Sequence, residues 1–185
     1  MSGLFLLHIC CAPCGGGCVE RLKDEENISP VLYYSNSNLC DAEEFERRLE
    51  SVRVLAEKYG LRLEVDPYDH DSWLQAVAGF EDEPERGARC AKCFAFNLTR
   101  AAQFARKTDA SFATTLTVSP LKSSKTIFAI GEDMPGFQPW DFKKKNGYKR
   151  SCEIAAELGF YRQNFCGCEF SKRDNPAYTK KDDKK

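Results

Sequence analysis

Four cysteines lie within nine residues near the start of the chain, in the stretch HICCAPCGGGC at residues 8–18. The apolar residues 4–9 predict a buried strand, so Cys10 and Cys11 stand at its carboxyl end, where parallel sheets bind ligands. Adjacent strand residues point to opposite faces, so both thiols can serve one centre only if the chain turns here. Pro13 and the glycines 15–17 predict such a turn.

A second pair, Cys90 and Cys93, stands in RCAKCF at residues 89–94. The two are three residues apart at a predicted helix start, so their side chains share one face. The helix N-terminus and the neighbouring cations favour thiolates. Iron–sulfur clusters are usually held by four thiolates. Two segments of the chain supply that number: Cys10, Cys11, Cys90 and Cys93.

Two alternatives remain open for these thiols, a structural zinc site and simple burial. Zinc sites made of four cysteines usually pair two Cys-x-x-Cys units, a pattern that the adjacent Cys10 and Cys11 fit poorly. Burial is the interpretation for the other two thiols of the first cluster and for two isolated ones. These are Cys14, Cys18, Cys40 and Cys152.

A third cysteine group, Cys166-Gly167-Cys168, lies near the end of the chain. A disulfide across one glycine closes a very small, strained ring, and strained disulfides are the labile, redox-active kind. Two free thiols on a flexible turn fit the spacing equally well. The spacing alone leaves both interpretations open.

A basic block at residues 141–150 combines five cations with two aromatic residues. Cations bind phosphate and aromatic rings stack on exposed bases, so the block is a candidate RNA contact. A solvated surface loop is the alternative. The candidate phosphate contacts are Lys143, Lys144, Lys145, Lys149 and Arg150.

Composition limits the class of protein. The 185 residues suit one domain with a real core, and a net charge of −1 excludes a general basic field for nucleic acid. The first residues lack a basic stretch, and the first apolar run is too short for a signal or membrane span, so we expect a cytoplasmic protein. Ten cysteines in a reducing compartment indicate metal ligands or redox thiols rather than structural disulfides.

Alternating strand and helix patterns predict an α/β domain with a parallel sheet over residues 1–171. Asp41 is the expected N-cap of a long helix, with Glu44 placed as in a capping box and Gly60 at its end. The lysine-rich residues 172–185 are expected to be disordered. Predicted strands cover 4–9, 31–34, 61–65 and 111–118, and predicted helices include 19–26, 90–106, 123–132 and 146–158.

The sequence as a whole resembles one family, the cobalamin-independent epoxyqueuosine reductases called QueH. The resemblance extends over most of the chain, from about residue 4 to 171, and rests on five blocks in order. They are HICCAPC at 8–14, RCAKCF at 89–94, TTLTVSP at 114–120, DFKKKNGYKRS at 141–151 and YRQNFCGCEFS at 161–171.

This resemblance implies a fold with helices on both faces of a parallel sheet, of the nucleotide-hydrolase-like (HUP/PP-loop) type, with a cysteine-rich C-terminal extension. CCAPCGGGC takes the place of the phosphate loop of that fold, so nucleotide hydrolysis is not expected. The implied activity is reduction of epoxyqueuosine in tRNA to queuosine, the last step of queuosine biosynthesis. The implied partners are tRNA and an unidentified electron donor, without DNA or a membrane.

The resemblance also implies a [4Fe–4S] cluster on Cys10, Cys11, Cys90 and Cys93, a second, mononuclear iron nearby, and a redox pair at Cys166 and Cys168. Reducing an epoxide to an alkene takes two electrons and protonation of the leaving oxygen. An iron acting as Lewis acid would assist C–O cleavage, and an acid within hydrogen-bond reach is needed. Asp141 is the candidate for that metal-adjacent or proton-handling role. A tRNA-thiolating enzyme of related fold and a zinc-binding RNA module without catalysis are the rival functions.

Overall fold

The computed structural model describes residues 3–175, which form an α/β domain around a four-stranded sheet. All three strand pairings are parallel, in the order β3-β2-β1-β4. The strands are β1 (Phe5–His8), β2 (Val31–Tyr34), β3 (Leu63–Val65) and β4 (Ser111–Thr114). The helices are α1 (Ala12–Glu26), α2 (Ala42–Tyr59), α3 (His70–Val77), α4 (Ala88–Lys107), α5 (Ser124–Gly131), α6 (Gly147–Glu157) and α7 (Glu169–Arg173).

Alternate residues of the strands pack into two separate hydrophobic clusters, one on each face of the sheet. Leu7 and Leu32 belong to the cluster that contains α1, α2 and α6 residues, whereas Leu6 and Phe112 belong to the cluster built with α4 and α5. Because successive strand residues point to opposite faces, each of these strands can contribute to both clusters. The predicted α/β class with helices on both faces is therefore confirmed.

The glycines 15–17 do not form the predicted turn, because they lie inside α1. The chain changes direction just before α1, at the N-cap residue Cys11, which has an extended conformation. Pro13 follows in the first turn of the helix. Proline is tolerated there because the first helical N–H groups have no partner in the helix. The glycines serve close packing instead: a Cβ on Gly17 would lie 2.7 Å from the Gly147 carbonyl oxygen in α6.

The end of β4 and the capping of α2 differ in detail from the predictions. The strand predicted over 111–118 ends at Thr114, and a 3₁₀ helix, Thr115–Val118, comes directly after it. Asp41 caps α2 by accepting from the Glu44 N–H at 2.7 Å, but the Glu44 side chain pairs with Arg48 instead of returning to the cap.

The predicted disordered tail starts too early. Residues 172 and 173 complete α7, and Asp174 is the C-cap of that helix. Beyond residue 175 the predicted tail lies outside the described residues. Within 3–175, we find no helix of sufficient length and apolarity to cross a bilayer.

His8 gives the fold a predicted pH dependence. Its ring is buried, with Nδ1 2.9 Å from Thr114 Oγ1 and Nε2 3.0 Å from the Ser35 carbonyl oxygen, and burial lowers its pKa from 6.5. The unfolded state then binds a proton more readily than the folded state. Stability is fully present above about pH 6.5 and falls as the pH drops below that value, by at most about 1.4 kcal/mol per pH unit from this group.

Urea unfolding between about pH 5 and 8 measures this slope, because the carboxylates titrate at lower pH. The His8→Asn variant is less stable throughout but is expected to lose the slope. An equal slope in wild type and variant would assign the pH dependence to another group.

Candidate metal centre

A cavity of about 570 Å³ opens at the carboxyl ends of β1 and β4, where the strand order reverses. In open parallel sheets this reversal is the usual place for a ligand. Seven of the ten cysteines line the cavity, including all four predicted cluster ligands. They are Cys10, Cys11, Cys14, Cys90, Cys93, Cys152 and Cys166.

Three of these thiols lie close together at the start of α1. The sulfurs of Cys10, Cys11 and Cys14 are all within 4.8 Å of one another, an arrangement that could hold a metal ion. Cys11 is the N-cap and Cys14 lies in the first helical turn, so the helix start brings their side chains towards the same side. The predicted convergence of Cys10 and Cys11 is thus present, with their sulfurs 4.0 Å apart.

Cys14 is a member of this group that the sequence interpretation missed. Its spacing from Cys11, in Cys-Ala-Pro-Cys, is the same Cys-x-x-Cys spacing that marks Cys90 and Cys93. The repeated spacing was the signal that could have identified it.

Cys90 and Cys93 enter the cavity from the first turns of α4, as predicted. Arg89 favours the thiolate of Cys90 as expected, but the pKa of both Cys90 and Cys93 is nevertheless raised. Burial raises the pKa of both thiols, and for Cys90 the hydrogen bond from the Arg86 N–H and the charge of Arg89 only partly oppose it. The Arg89 side chain is turned away to the carbonyl oxygens of Glu81 and Glu83.

In the group of Cys10, Cys11 and Cys14, the pKa values of neighbouring thiols shift in opposite directions. Hydrogen bonding to Cys11 and its own burial raise the pKa of Cys10 to about 12, whereas donation by Cys10 and Cys14 holds the pKa of Cys11 well below its usual range. The buried Arg48 adds to this stabilisation of the Cys11 thiolate. Thiolate is the form that binds metals, so Cys11 is the sulfur of this group best prepared for a metal.

Cys166 and Cys168 have separate surroundings. Cys166 lines the cavity, whereas Cys168 is 8% exposed, packs with Trp73 and Val77, and caps α7 by accepting from the Ser171 N–H at 3.4 Å. Both are free thiols in this structure. Their segment is held in place, because Arg48 Nη1 donates to the Cys166 carbonyl oxygen at 3.0 Å. The free thiols agree with the second interpretation of the Cys-Gly-Cys spacing.

Residues 5–174, which include the sheet and the cysteine-lined cavity, match the family model described as Epoxyqueuosine reductase QueH. The chain belongs to the QueH family. Relatives named epoxyqueuosine reductase QueH include one from Streptococcus pyogenes serotype M1, 36% identical over 91% of this chain and 70% of the relative. Others are from Thermotoga maritima, 35% identical over 91% of this chain and 90% of the relative, and Acinetobacter baylyi, 35% identical over 91% and 80%.

The donor set of this QueH-family chain suits an iron–sulfur cluster. Cysteine thiols are soft ligands that select iron–sulfur clusters, zinc or copper(I), and four of them face one cavity from two helix starts. The cavity also leaves volume beyond the thiols for a bound group. Zinc binds the same type of ligand, and metal analysis distinguishes the two.

Asp141 is not brought to the cysteines. It lines a second, shallower depression with Trp140 and Lys144, and its Oδ1 accepts from the Ser124 hydroxyl at 3.0 Å. The neighbouring Lys143 donates from Nζ to the Lys122 carbonyl oxygen at 2.9 Å and to Ser124 Oγ at 2.6 Å. Both side chains thus hold the segment that carries Lys122, a residue of the cavity wall that the sequence interpretation missed.

The predicted basic block is largely engaged in internal contacts. Besides Lys143, Lys145 pairs with Glu25, and Arg150 pairs with Glu20 at 2.6 Å. Lys149 lies 4.0 Å from Glu153, and the exposed Lys144 borders the second depression. Tyr148, 45% exposed, connects the block to the cavity because it lines the cavity wall.

Proposed function

We propose that this QueH-family oxidoreductase reduces the epoxide of epoxyqueuosine in tRNA to the alkene of queuosine. The observation that carries the proposal is the cavity at which Cys10, Cys11, Cys90 and Cys93 meet in a chain of this family. The reaction consumes two electrons and two protons and releases one water. A [4Fe–4S] cluster on the four thiolates would supply electrons singly, from a donor that is still to be identified.

Lys122 is our candidate for the group that binds the epoxide oxygen. It lines the same cavity as the cysteines. Burial lowers the pKa of its ammonium, but the negative charge of the surrounding cysteines in their thiolate form outweighs burial and raises it. A cation fixed at the reacting oxygen stabilises the negative charge that develops as the C–O bond breaks. Asp141 would act only indirectly, by accepting from the Ser124 hydroxyl and so holding the segment that carries Lys122.

Cys14 is our candidate ligand for the second, mononuclear iron that the family resemblance implies. Its sulfur lies within 4.8 Å of those of Cys10 and Cys11, next to the proposed cluster ligands. Cys14→Ser is therefore a useful comparison in iron counts, since it removes this thiol and leaves all four proposed cluster ligands in the chain.

The RNA contact that we propose combines the basic block with the cavity mouth. Arg86, Lys122 and Arg162 line the cavity, so they lie where tRNA must approach to insert its base. Tyr148 offers an exposed ring for stacking at the same place. Lys144, Lys145, Lys149 and Arg150 extend the charge along α6 and the loop before it.

Neutralising Arg86 and Arg162 together with glutamine is expected to weaken tRNA binding and to reduce its salt slope by about 1 for each phosphate that loses its cation. Lys144→Gln with Lys149→Gln tests the basic block in the same way. Lys143→Met is expected to lower the free energy of unfolding instead, since its ammonium holds three carbonyl oxygens inside the fold. Fluorescence anisotropy at several salt concentrations and urea unfolding measure the two effects.

Lys58→Gln, an exposed cation at the end of α2, is the matched control. Unchanged affinity and salt slope in both pairs of variants would show that neither surface contacts tRNA phosphates.

The experiment that tests the function is anaerobic reconstitution with iron and sulfide, followed by reaction with tRNA carrying epoxyqueuosine and mass analysis of its nucleosides. We expect queuosine to form with dithionite as reductant and without ATP. Consumption of ATP with incorporation of sulfur would favour the tRNA-thiolating alternative. A colourless zinc protein that binds tRNA without converting the nucleoside would favour the non-catalytic RNA module.

A further inference from the structure

Each of the four proposed cluster ligands accepts a hydrogen bond from a group outside the cysteine set. The Thr115 hydroxyl donates to Cys10 Sγ at 3.3 Å, and the Gln163 Nε2 to Cys11 Sγ at 3.3 Å. The Arg86 N–H donates to Cys90 Sγ at 3.2 Å, and the Asn97 Nδ2 lies 3.8 Å from Cys93 Sγ. The donors come from four places in the chain: the 3₁₀ helix, the loop before α7, the loop before α4, and α4 itself.

The side-chain amides of Asn97 and Gln163 point their N–H groups towards sulfur at a cost in free energy. Two side-chain oxygens, Asn97 Oδ1 and Gln163 Oε1, are buried and accept no hydrogen bond within the described residues 3–175. Leaving a buried acceptor unpaired costs about 1–3 kcal/mol. For Gln163, the N–H group that faces sulfur is the evident compensation, because an apolar side chain of similar size would avoid that cost. The Asn97 Nδ2 is held by two contacts, since it also donates to Asn38 Oδ1 at 3.1 Å.

We propose that Thr115, Gln163 and Asn97 raise the reduction potential of an iron–sulfur cluster held by the cysteines that they contact. The inference rests on the proposed function for the presence of the cluster. It adds a role for three side chains that are not metal ligands.

The physical reason is the charge of the reduced state. Each reduction adds one electron from a one-electron reductant to the cluster and its thiolates, and the sulfurs take part of the added negative charge. Hydrogen bonds to those sulfurs stabilise the reduced state more than the oxidised state. Little water reaches Asn97, which is 3% exposed, so its contribution is weakly screened. The Lys122 ammonium acts in the same direction across the cavity.

Thr115→Val and Gln163→Leu remove one donor each with little change in shape. The reconstituted full chain is titrated with dithionite in the presence of redox mediators, and the reduced cluster is followed by electron paramagnetic resonance. We expect a more negative midpoint potential in each variant, a larger shift in the double variant, and the wild-type value in Thr115→Ser, which keeps the hydroxyl. Gln138→Leu, at an exposed glutamine outside the cavity, is the matched control.

Variants with full iron content and the wild-type potential would overturn the inference. Loss of iron from both variants and from a substitute, Gln163→Met, would also overturn it, because the donors would then serve assembly and not the potential. A wild-type chain that forms no such cluster would instead contradict the proposed function. The titration contains no tRNA, so the two failures are distinguishable.

Discussion

Replacing Cys90 with serine is expected to remove most of the bound iron and the visible absorption of the reconstituted protein. Cys90 lines the cavity from the first turn of α4. A hydroxyl is a much poorer ligand than a thiolate for iron–sulfur clusters, so three thiolates would be left to hold the group. Epoxyqueuosine reduction should fall by roughly 100-fold or more, since loss of a ligand exceeds the 10–100-fold effect of its supporting contacts.

Cys40→Ser is the matched control for this variant. The Cys40 thiol donates to the Asp41 carboxylate at 3.2 Å and does not line the cavity. It should keep its iron, sulfide and activity. Full iron and sulfide retention in serine variants of all four predicted ligands would contradict the proposal that these cysteines bind a cluster.

The second large effect is expected in the Cys166→Ser, Cys168→Ser double variant, which should lose repeated turnover. A dithiol that becomes a disulfide releases two electrons and two protons, the amount that one epoxide consumes. Cys166 lines the cavity, whereas Cys168 must leave its cap on α7 to reach it. We therefore expect the double variant to lose repeated turnover, because its cluster alone holds one electron where each epoxide consumes two, with iron content and tRNA affinity unchanged.

Rapid-quench measurement of queuosine formed per protein separates the first turnover from later ones. Cys152→Ser supplies the control, because this thiol also lines the cavity but lies outside the pair. Normal multiple turnover in the double variant would leave the two cysteines with a structural role only.

Much of the fold can be predicted from local sequence signals. Short apolar runs indicate the strands, and Asp41 and Gly60 mark the ends of α2 as a cap and a left-handed terminus. The glycines 15–17 misled the interpretation because glycine is unfavourable in isolated helices. Tertiary packing explains the glycine at position 17, because α6 lies too close to Gly17 for a side chain.

The positions of the proposed metal ligands were predictable to a similar degree. Cysteine spacing and the sheet edge predicted that Cys10, Cys11, Cys90 and Cys93 would meet, and they line one cavity. The internal role of Lys143 was not predictable, because it depends on carbonyl oxygens more than twenty residues earlier in the chain. Charge patterns in a sequence do not distinguish a solvated cation from one held inside the fold.

The most direct measurement of the central claim is the tRNA nucleoside content of cells that lack their own epoxyqueuosine reductase and express this chain. The account predicts that the wild-type chain replaces epoxyqueuosine by queuosine, while Cys90→Ser, made to the same level, leaves epoxyqueuosine in the tRNA. Persistence of epoxyqueuosine with the wild-type chain, or its full conversion by Cys90→Ser, would contradict the account.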